Sequence, residues 1–207
     1  MQVVSALENF PLNLILASTS PRRKELLSYL GLPFQIVAPN TEEKPRPGET
    51  GVQYAKRNSM EKAEAVYRQH RDAHEGKVLA IGADTIGVID DKILEKPLDA
   101  ADAVRMLSEM SGRAHKVITA VSLVGVSAQG EHHDSFAVET LVHFKKLSLP
   151  EIQYYVQTKE PLDKAGAYGI QGIGGFIVRS IEGSYSNVVG LPLVELSEAL
   201  QRWPRFE

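Results

Sequence analysis

A chain of 207 residues is long enough to bury a substantial core, and a charged fraction of 24% beside an apolar fraction of 43% is ordinary for a globular protein. The formal charge of −3 supplies no basic field of the kind that drives nucleic-acid binding, and the absence of cysteine excludes disulfides, thiolate catalysis and cysteine-based zinc sites. Carboxylates, histidines and hydroxyls are left to do any chemistry.

Met1 to Phe10 has no basic start and contains Glu8, so it does not resemble a secretory signal, and no apolar run approaches the ~20 residues that span a bilayer. A cytoplasmic soluble protein with neither membrane nor nucleic acid as partner is the expectation, with residues 1–13 an extension ahead of the first strand. Leu14 to Ala17 reads as that strand, buried because it is wholly apolar. Ser18, Thr19 and Ser20 are N-cap candidates and Pro21 suits a first helical position, which predicts a helix from there through Leu30, ended by Gly31. Phe34 to Val37 is a second short strand, Pro39 to Gly48 a loop, and Val52 to Gln69 a helix. Val78 to Ala83 and Ile86 to Ile89 read as buried strand, turning at Asp90-Asp91 into Ile93-Leu94.

Asp99 and Asp102 stand at N-cap and N3 spacing before a helix whose Ala103, Met106, Leu107 and Met110 follow the helical period, ended by Ser111-Gly112. Lys116 to Val126 and Ser135 to Phe144 are β-rich runs flanking the polar stretch Ser127 to Asp134, which predicts an antiparallel pair joined by a loop. Ser148 and Glu151 form a capping box for a helix ending at Gln157. A glycine-dense stretch from Gly166 to Gly190 follows, and then an amphipathic helix carrying Leu193, Leu196, Leu200 and Trp203 on one stripe. The alternation argues for a mixed α/β protein with some strands parallel through crossovers and others in hairpins.

The residues of most chemical interest begin with Arg22 and Arg23, which fall in the first turn of the first helix. That end is already positive, so two cations there cost a few tenths to about 1 kcal/mol unless an anion is bound. At about 100° per residue, Arg23 projects within the apolar face of Leu26, Leu27 and Leu30 while Arg22 lies on its border. A solvated helix start and an anion site both remain open. Asp84 interrupts an otherwise apolar strand, which fits a turn residue, a metal ligand or a general base. Glu42 and Glu43 in the Pro-rich loop are by themselves no more than solvated acids, and Lys62 projects near its helix's apolar stripe, so it either snorkels or reaches a site. Lys96 fits a surface ion pair or a return beside Asp84. In the glycine-dense stretch there is neither a Walker A loop nor a G-x-G-x-x-G fingerprint, but Tyr168 and Gln171 offer a stacking face and an amide able to read a base edge. His132-His133-Asp134 suggests a metal site only superficially, since it falls in the polar hairpin loop.

Taken together, Ser18-Thr19-Ser20-Pro21-Arg22-Arg23, Glu42-Glu43, Glu61-Lys62-Ala63, Gly82-Ala83-Asp84-Thr85, Glu95-Lys96-Pro97, Ser111-Gly112 and the run from Asp163 to Gly172 resemble the motifs of the Maf nucleotide pyrophosphatases, in one order from Leu14 to about Leu200. The resemblance implies the Maf/inosine-triphosphatase-like fold, a mixed twisted sheet flanked by helices with two lobes around a central cleft, as a single domain over residues 14–207. The Tyr168-Gly169-Ile170-Gln171 wording resembles the branch acting on dTTP and UTP rather than the one acting on 7-methyl-GTP. What the resemblance implies for the site is Asp84 as proton acceptor; Ser18, Arg23, Lys62 and Lys96 on phosphate; Glu43 and Asp84 on a divalent cation, Mg²⁺ or Mn²⁺; and Arg22, Thr85 and Gln171 tuning base choice. It further implies a homodimer acting on nucleoside triphosphates, by water attack on the α-phosphate. The same reaction on 7-methyl-GTP or a broader nucleotide set is one alternative, and a non-catalytic nucleotide-binding inhibitor of septum formation is the alternative from another class.

Overall fold

The computed structural model describes residues 10–204, so residues 1–9 of the expected extension lie outside the described residues; of the rest, Leu12 is buried and Asn13 opens the first strand. One seven-stranded mixed sheet runs through the chain, with helices α1 to α6 around it in sequence. Its order is β2-β1-β3-β5-β6-β7, where β1 is Asn13–Ala17, β2 Phe34–Val37, β3 Val78–Ile89, β5 Ala114–Ser127, β6 Gly130–Phe144 and β7 Val178–Glu182; β4, Lys92–Leu94, pairs with β3 off this path. The helices are α1 Pro21–Ser28, α2 Gly51–His70, α3 Ala100–Met110, α4 Leu149–Gln157, α5 Tyr185–Val189 and α6 Leu193–Arg202. No described helix is long and apolar enough to cross a membrane.

The chain divides into two compact units, and β3, β5 and β6 contribute residues to both. The first unit comprises 10–84, 119–137 and 190–204 of the described residues. Its core packs Ile15 and Ala17 of β1 against Ala63, Val66 and Tyr67 of α2 and Val78 and Ala80 of β3. The second unit comprises residues 85–118 and 138–189. Its core joins Met106, Leu107 and Met110 of α3 to Ile152 and Tyr155 of α4 and Phe144 of β6. Burying each large side chain of such cores is worth about 1.5–3 kcal/mol.

In the first unit, strand register sets the site. β1 runs parallel to both neighbours, with Ala17 opposite Val37 of β2 and Gly82 of β3. The C-terminal ends of β1 and β2 therefore come level beside Gly82, midway along the longer β3, and whatever the chain carries just beyond β1 and β2 is delivered next to that point, at the carboxyl ends of parallel strands, where open α/β sheets bind ligands. Beyond β1 lies Ser18, beyond β2 the acidic loop with Glu43, and on β3 two residues past Gly82 lies Asp84.

Three local expectations are corrected. Asp84 does not break its strand; β3 is continuous from Val78 to Ile89 because neighbouring donors satisfy the carboxylate. The expected loop from Ser127 to Asp134 shrinks to Ala128 and Gln129, and a connection that short joins only antiparallel neighbours. His132, His133 and Asp134 thus lie in β6, where His132 packs edge-on against Trp203 at 4.9 Å and His133 pairs with Glu131 at 2.9 Å. The glycine-dense stretch hides β7 and α5, which its turn residues mask in the sequence.

Candidate active site

The segment after β1 folds as its caps require. Ser20 caps α1 by accepting the Arg23 amide at 3.5 Å, and Pro21 occupies the first turn. Ser18, nearly buried, accepts from the Ser20 amide at 3.1 Å and from Arg23 Nη1 at 3.4 Å, both through lone pairs of its oxygen. Arg23 Nε donates to the Gly190 carbonyl at 2.9 Å, which fixes the plane of the guanidinium. Burial lowers the Arg23 pKa, opposed by the fields of Asp84 and Glu43 and reinforced by Arg22. Lys24 and Glu25 face solvent while Leu26 and Leu27 are buried, as the helical geometry requires.

α2 lies so close to β3 that a methyl group on Gly82 would overlap the Ser59 carbonyl oxygen and crowd the Ala63 amide. The side chains that flank that contact on α2, Asn58 and Lys62, therefore reach Asp84. Lys62 Nζ donates to Asp84 Oδ1 at 2.7 Å and Asn58 Nδ2 to Oδ2 at 3.1 Å. All three are buried, at 5%, 1% and 4% exposure respectively for Lys62, Asn58 and Asp84. The same ammonium meets Glu43 Oε1 at 3.0 Å, so Lys62 bridges the buried Asp84 and the exposed Glu43, and neither buried charge is left alone, which would be far costlier.

Arg57 ties the acidic loop to this helix. Its guanidinium grips the Glu49 carboxylate through two nitrogens at 2.7 and 2.8 Å, donates to the Lys44 carbonyl at 2.8 Å, and donates to Asn58 Oδ1 at 3.1 Å. The last bond settles which end of the Asn58 amide faces Asp84: the oxygen serves the cation and the NH₂ the carboxylate. Glu49 is held below its usual pKa by the Arg57 hydrogen bond, and Arg57 is raised above its own by Glu49.

The structure thus brings together Ser18, Arg23, Glu43, Lys62 and Asp84, all in the first unit. Arg22, beside Arg23, is part-buried on the same helix. Thr85, Lys96 and Gln171 belong to the second unit. There Lys96 is exposed just after β4, and the Gly166 amide donates to the Glu95 carbonyl at 3.0 Å, which joins the Lys96 segment to the start of the glycine-rich stretch. Asn58 was not singled out from the sequence. Its signal was present, since it lies one turn before Lys62 on the same face, but an isolated asparagine on a helix carries no chemistry until β3 is placed against it.

Two carboxylates on one edge form a hard-oxygen donor pair, which suits Mg²⁺ or Mn²⁺ completed by phosphate oxygens and water. Among the described residues no group of three or more His, Cys, Asp or Glu side chains is arranged to enclose an ion by itself. Two carboxylates and a substrate-completed shell are what Mg²⁺ ordinarily uses with nucleotides.

Against known proteins, the family model described as Maf-like protein matches residues 13–203. The chain is 52% identical over 194 residues to a dTTP/UTP pyrophosphatase of Shewanella oneidensis, covering 91% of this chain and 97% of that one. It is 49% identical over 190 residues to a dTTP/UTP pyrophosphatase of Vibrio vulnificus strain YJ016, covering 92% and 98%. A looser structural likeness, with a TM-score of 0.41 and 11% identity over 64% of this chain and 71% of the other, is to the Ham1 protein of Staphylococcus aureus.

Proposed function

Because the chain belongs to the Maf-like protein family, we infer that it hydrolyses dTTP and UTP to the monophosphate and pyrophosphate. The observation that carries this reading is the near-complete match, at about half identity, to relatives bearing that name. The chemistry of the first unit supports it. A triphosphate needs cations, and Arg23 and Lys62 present a guanidinium and an ammonium at the edge where Ser18 can donate its hydroxyl proton to a phosphate oxygen.

Asp84 is the proton acceptor in this reading. Each of its oxygens already takes one donor, and each keeps a lone pair, so a water can be oriented without breaking the bonds to Lys62 or Asn58. That water's oxygen bonds to the α-phosphorus as the bond to the α–β bridging oxygen breaks; the water's proton passes to Asp84 and pyrophosphate leaves. Glu43 and Asp84 would hold a divalent cation, whose contribution when bound is to neutralise phosphate charge. Arg23 and Lys62 balance the charge that builds on the phosphoryl oxygens. Lys96 is assigned to phosphate, and Arg22, Thr85 and Gln171 to base choice. A homodimer, a cytoplasmic setting and one catalytic domain over residues 14–207 belong to the same reading.

The test is a panel of canonical nucleoside triphosphates and 7-methyl-GTP, offered to the purified protein with Mg²⁺ or Mn²⁺, with pyrophosphate and orthophosphate measured separately. Pyrophosphate from dTTP and UTP ahead of the rest is the expected result. Orthophosphate as main product, a preference for 7-methyl-GTP, or no turnover would each contradict it.

A further inference from the structure

Gln171 sits in a segment that cannot hold itself in place by side-chain packing, since Gly169, Gly172, Gly174 and Gly175 surround it. Two side chains from outside the segment do that work. Tyr155 of α4, fully buried, accepts the Gly169 amide on its hydroxyl at 3.1 Å and donates to Glu160 Oε1 at 2.9 Å. Glu160 in turn accepts the Gly174 amide on Oε1 and the Ile173 amide on Oε2, each at 3.0 Å. Both flanks of Gln171 are therefore fastened to one hydrogen-bonded pair, two residues before it and two and three residues after it.

The pair is itself anchored. The Glu160 amide donates to Thr158 Oγ1 at 3.2 Å, and the Glu160 carbonyl accepts Lys164 Nζ at 2.6 Å. At Gly174 a methyl group would overlap both the Gly169 carbonyl oxygen and the Tyr155 hydroxyl, so the segment folds tightly on its anchor. Three donors converge on Glu160 and an ionised carboxylate offers only acceptors, whereas an amide would turn an N–H toward one of them. Burial raises the Glu160 pKa, but the bonds from Gly174, Tyr155 and Ile173 outweigh it and keep the group below its ordinary value.

We propose that Glu160 and Tyr155 are positioning residues for base selection, holding the backbone on either side of Gln171 so that its amide meets one base edge. The inference rests on the assignment of Gln171 to the base. A side chain that reads a hydrogen-bonding edge discriminates only while it is held in place, and the glycines supply no stiffness of their own.

The test compares kcat/KM for dTTP and dCTP, which differ in base alone, in Glu160→Gln, Tyr155→Phe, Gln171→Ala and the double variant Glu160→Gln with Gln171→Ala, with melting curves for each. Gln171→Ala and Glu160→Gln are each expected to lower the dTTP to dCTP ratio about tenfold, mainly through the KM for dTTP. Tyr155→Phe acts in the same direction by less, and the double variant is no worse than Gln171→Ala alone, because Glu160 acts through Gln171. Additive loss in the double variant, or a ratio lowered by Gln171→Ala but untouched by Glu160→Gln and Tyr155→Phe, overturns the positioning role alone. An unchanged ratio in Gln171→Ala overturns the assignment of Gln171 to the base and the positioning role with it. Should Glu160→Gln fail to fold, Tyr155→Phe decides the question, since it keeps the buried ring.

Discussion

At the scale of single residues, Asp84 is a buried carboxylate held by a cation on one oxygen and an amide on the other. Such a group is ordered without being exhausted, which is what orienting a water demands. Asp84→Asn keeps the shape and removes the basicity, so kcat should fall by about 10²–10⁴-fold while KM changes little, as steady-state kinetics on dTTP would show. A fall confined to KM would place Asp84 in binding only. The sequence already set Asp84 and Lys62 apart, because a charge inside an apolar pattern demands a partner. It did not reveal Asn58, whose meaning arises only from the close approach of α2 to β3 at Gly82. Spacing alone did not join Glu43 to Lys62, which only the family resemblance put in one site, since adjacent acids in a loop read as solvated until the register of β2 delivers them to the same edge.

At the scale of elements, the contact of α2 with β3 is what aims Lys62 and Asn58. Gly82→Ala should push the helix away from the strand, costing about 1–3 kcal/mol of stability as an overpacked core does. It should also depress turnover through the lost alignment of Lys62 with Asp84. Urea denaturation beside kinetics checks both, and an alanine variant as stable and active as the parent would show that the contact does not matter. Helices with clear caps were legible in the sequence: Asp99 accepts the Asp102 amide at 2.8 Å, and Glu151 accepts the Ser148 amide at 2.7 Å. The β5–β6 hairpin was less so, because the polar residues of its tip suit exposed strand as well as loop. The glycine-dense stretch was opaque for a different reason. Its conformation depends on Tyr155 and Glu160, which stand before it in the chain and carry no local signal of that role.

At the scale of the whole molecule, each compact unit has apolar packing of its own, and the second unit contains an acid-sensitive group. His115 is buried beside Phe144 and Tyr168, its Nε2 2.9 Å from the Tyr168 hydroxyl and its Nδ1 without a hydrogen-bond partner among the described residues. Burial, with a smaller contribution from His143, lowers its pKa to about 4 from an ordinary 6.5. Between those values the unfolded chain takes up a proton that the folded one refuses. Stability is thus fully present above pH 6.5 and drains as pH falls toward 4, by up to about 3 kcal/mol. Urea midpoints across that window should fall for the parent protein and fall less for His115→Gln, and parallel profiles would contradict this. Mixed α/β class and parallel register were foreshadowed by strand and helix alternation, whereas the division into two units depends on long-range packing that no local pattern displays, and only the family resemblance suggested two lobes. The most direct test of the central claim, water attack on the α-phosphorus, is hydrolysis of dTTP in heavy-oxygen water with mass analysis of both products. The expected result is label in the thymidine monophosphate and none in the pyrophosphate; label in the pyrophosphate would contradict it.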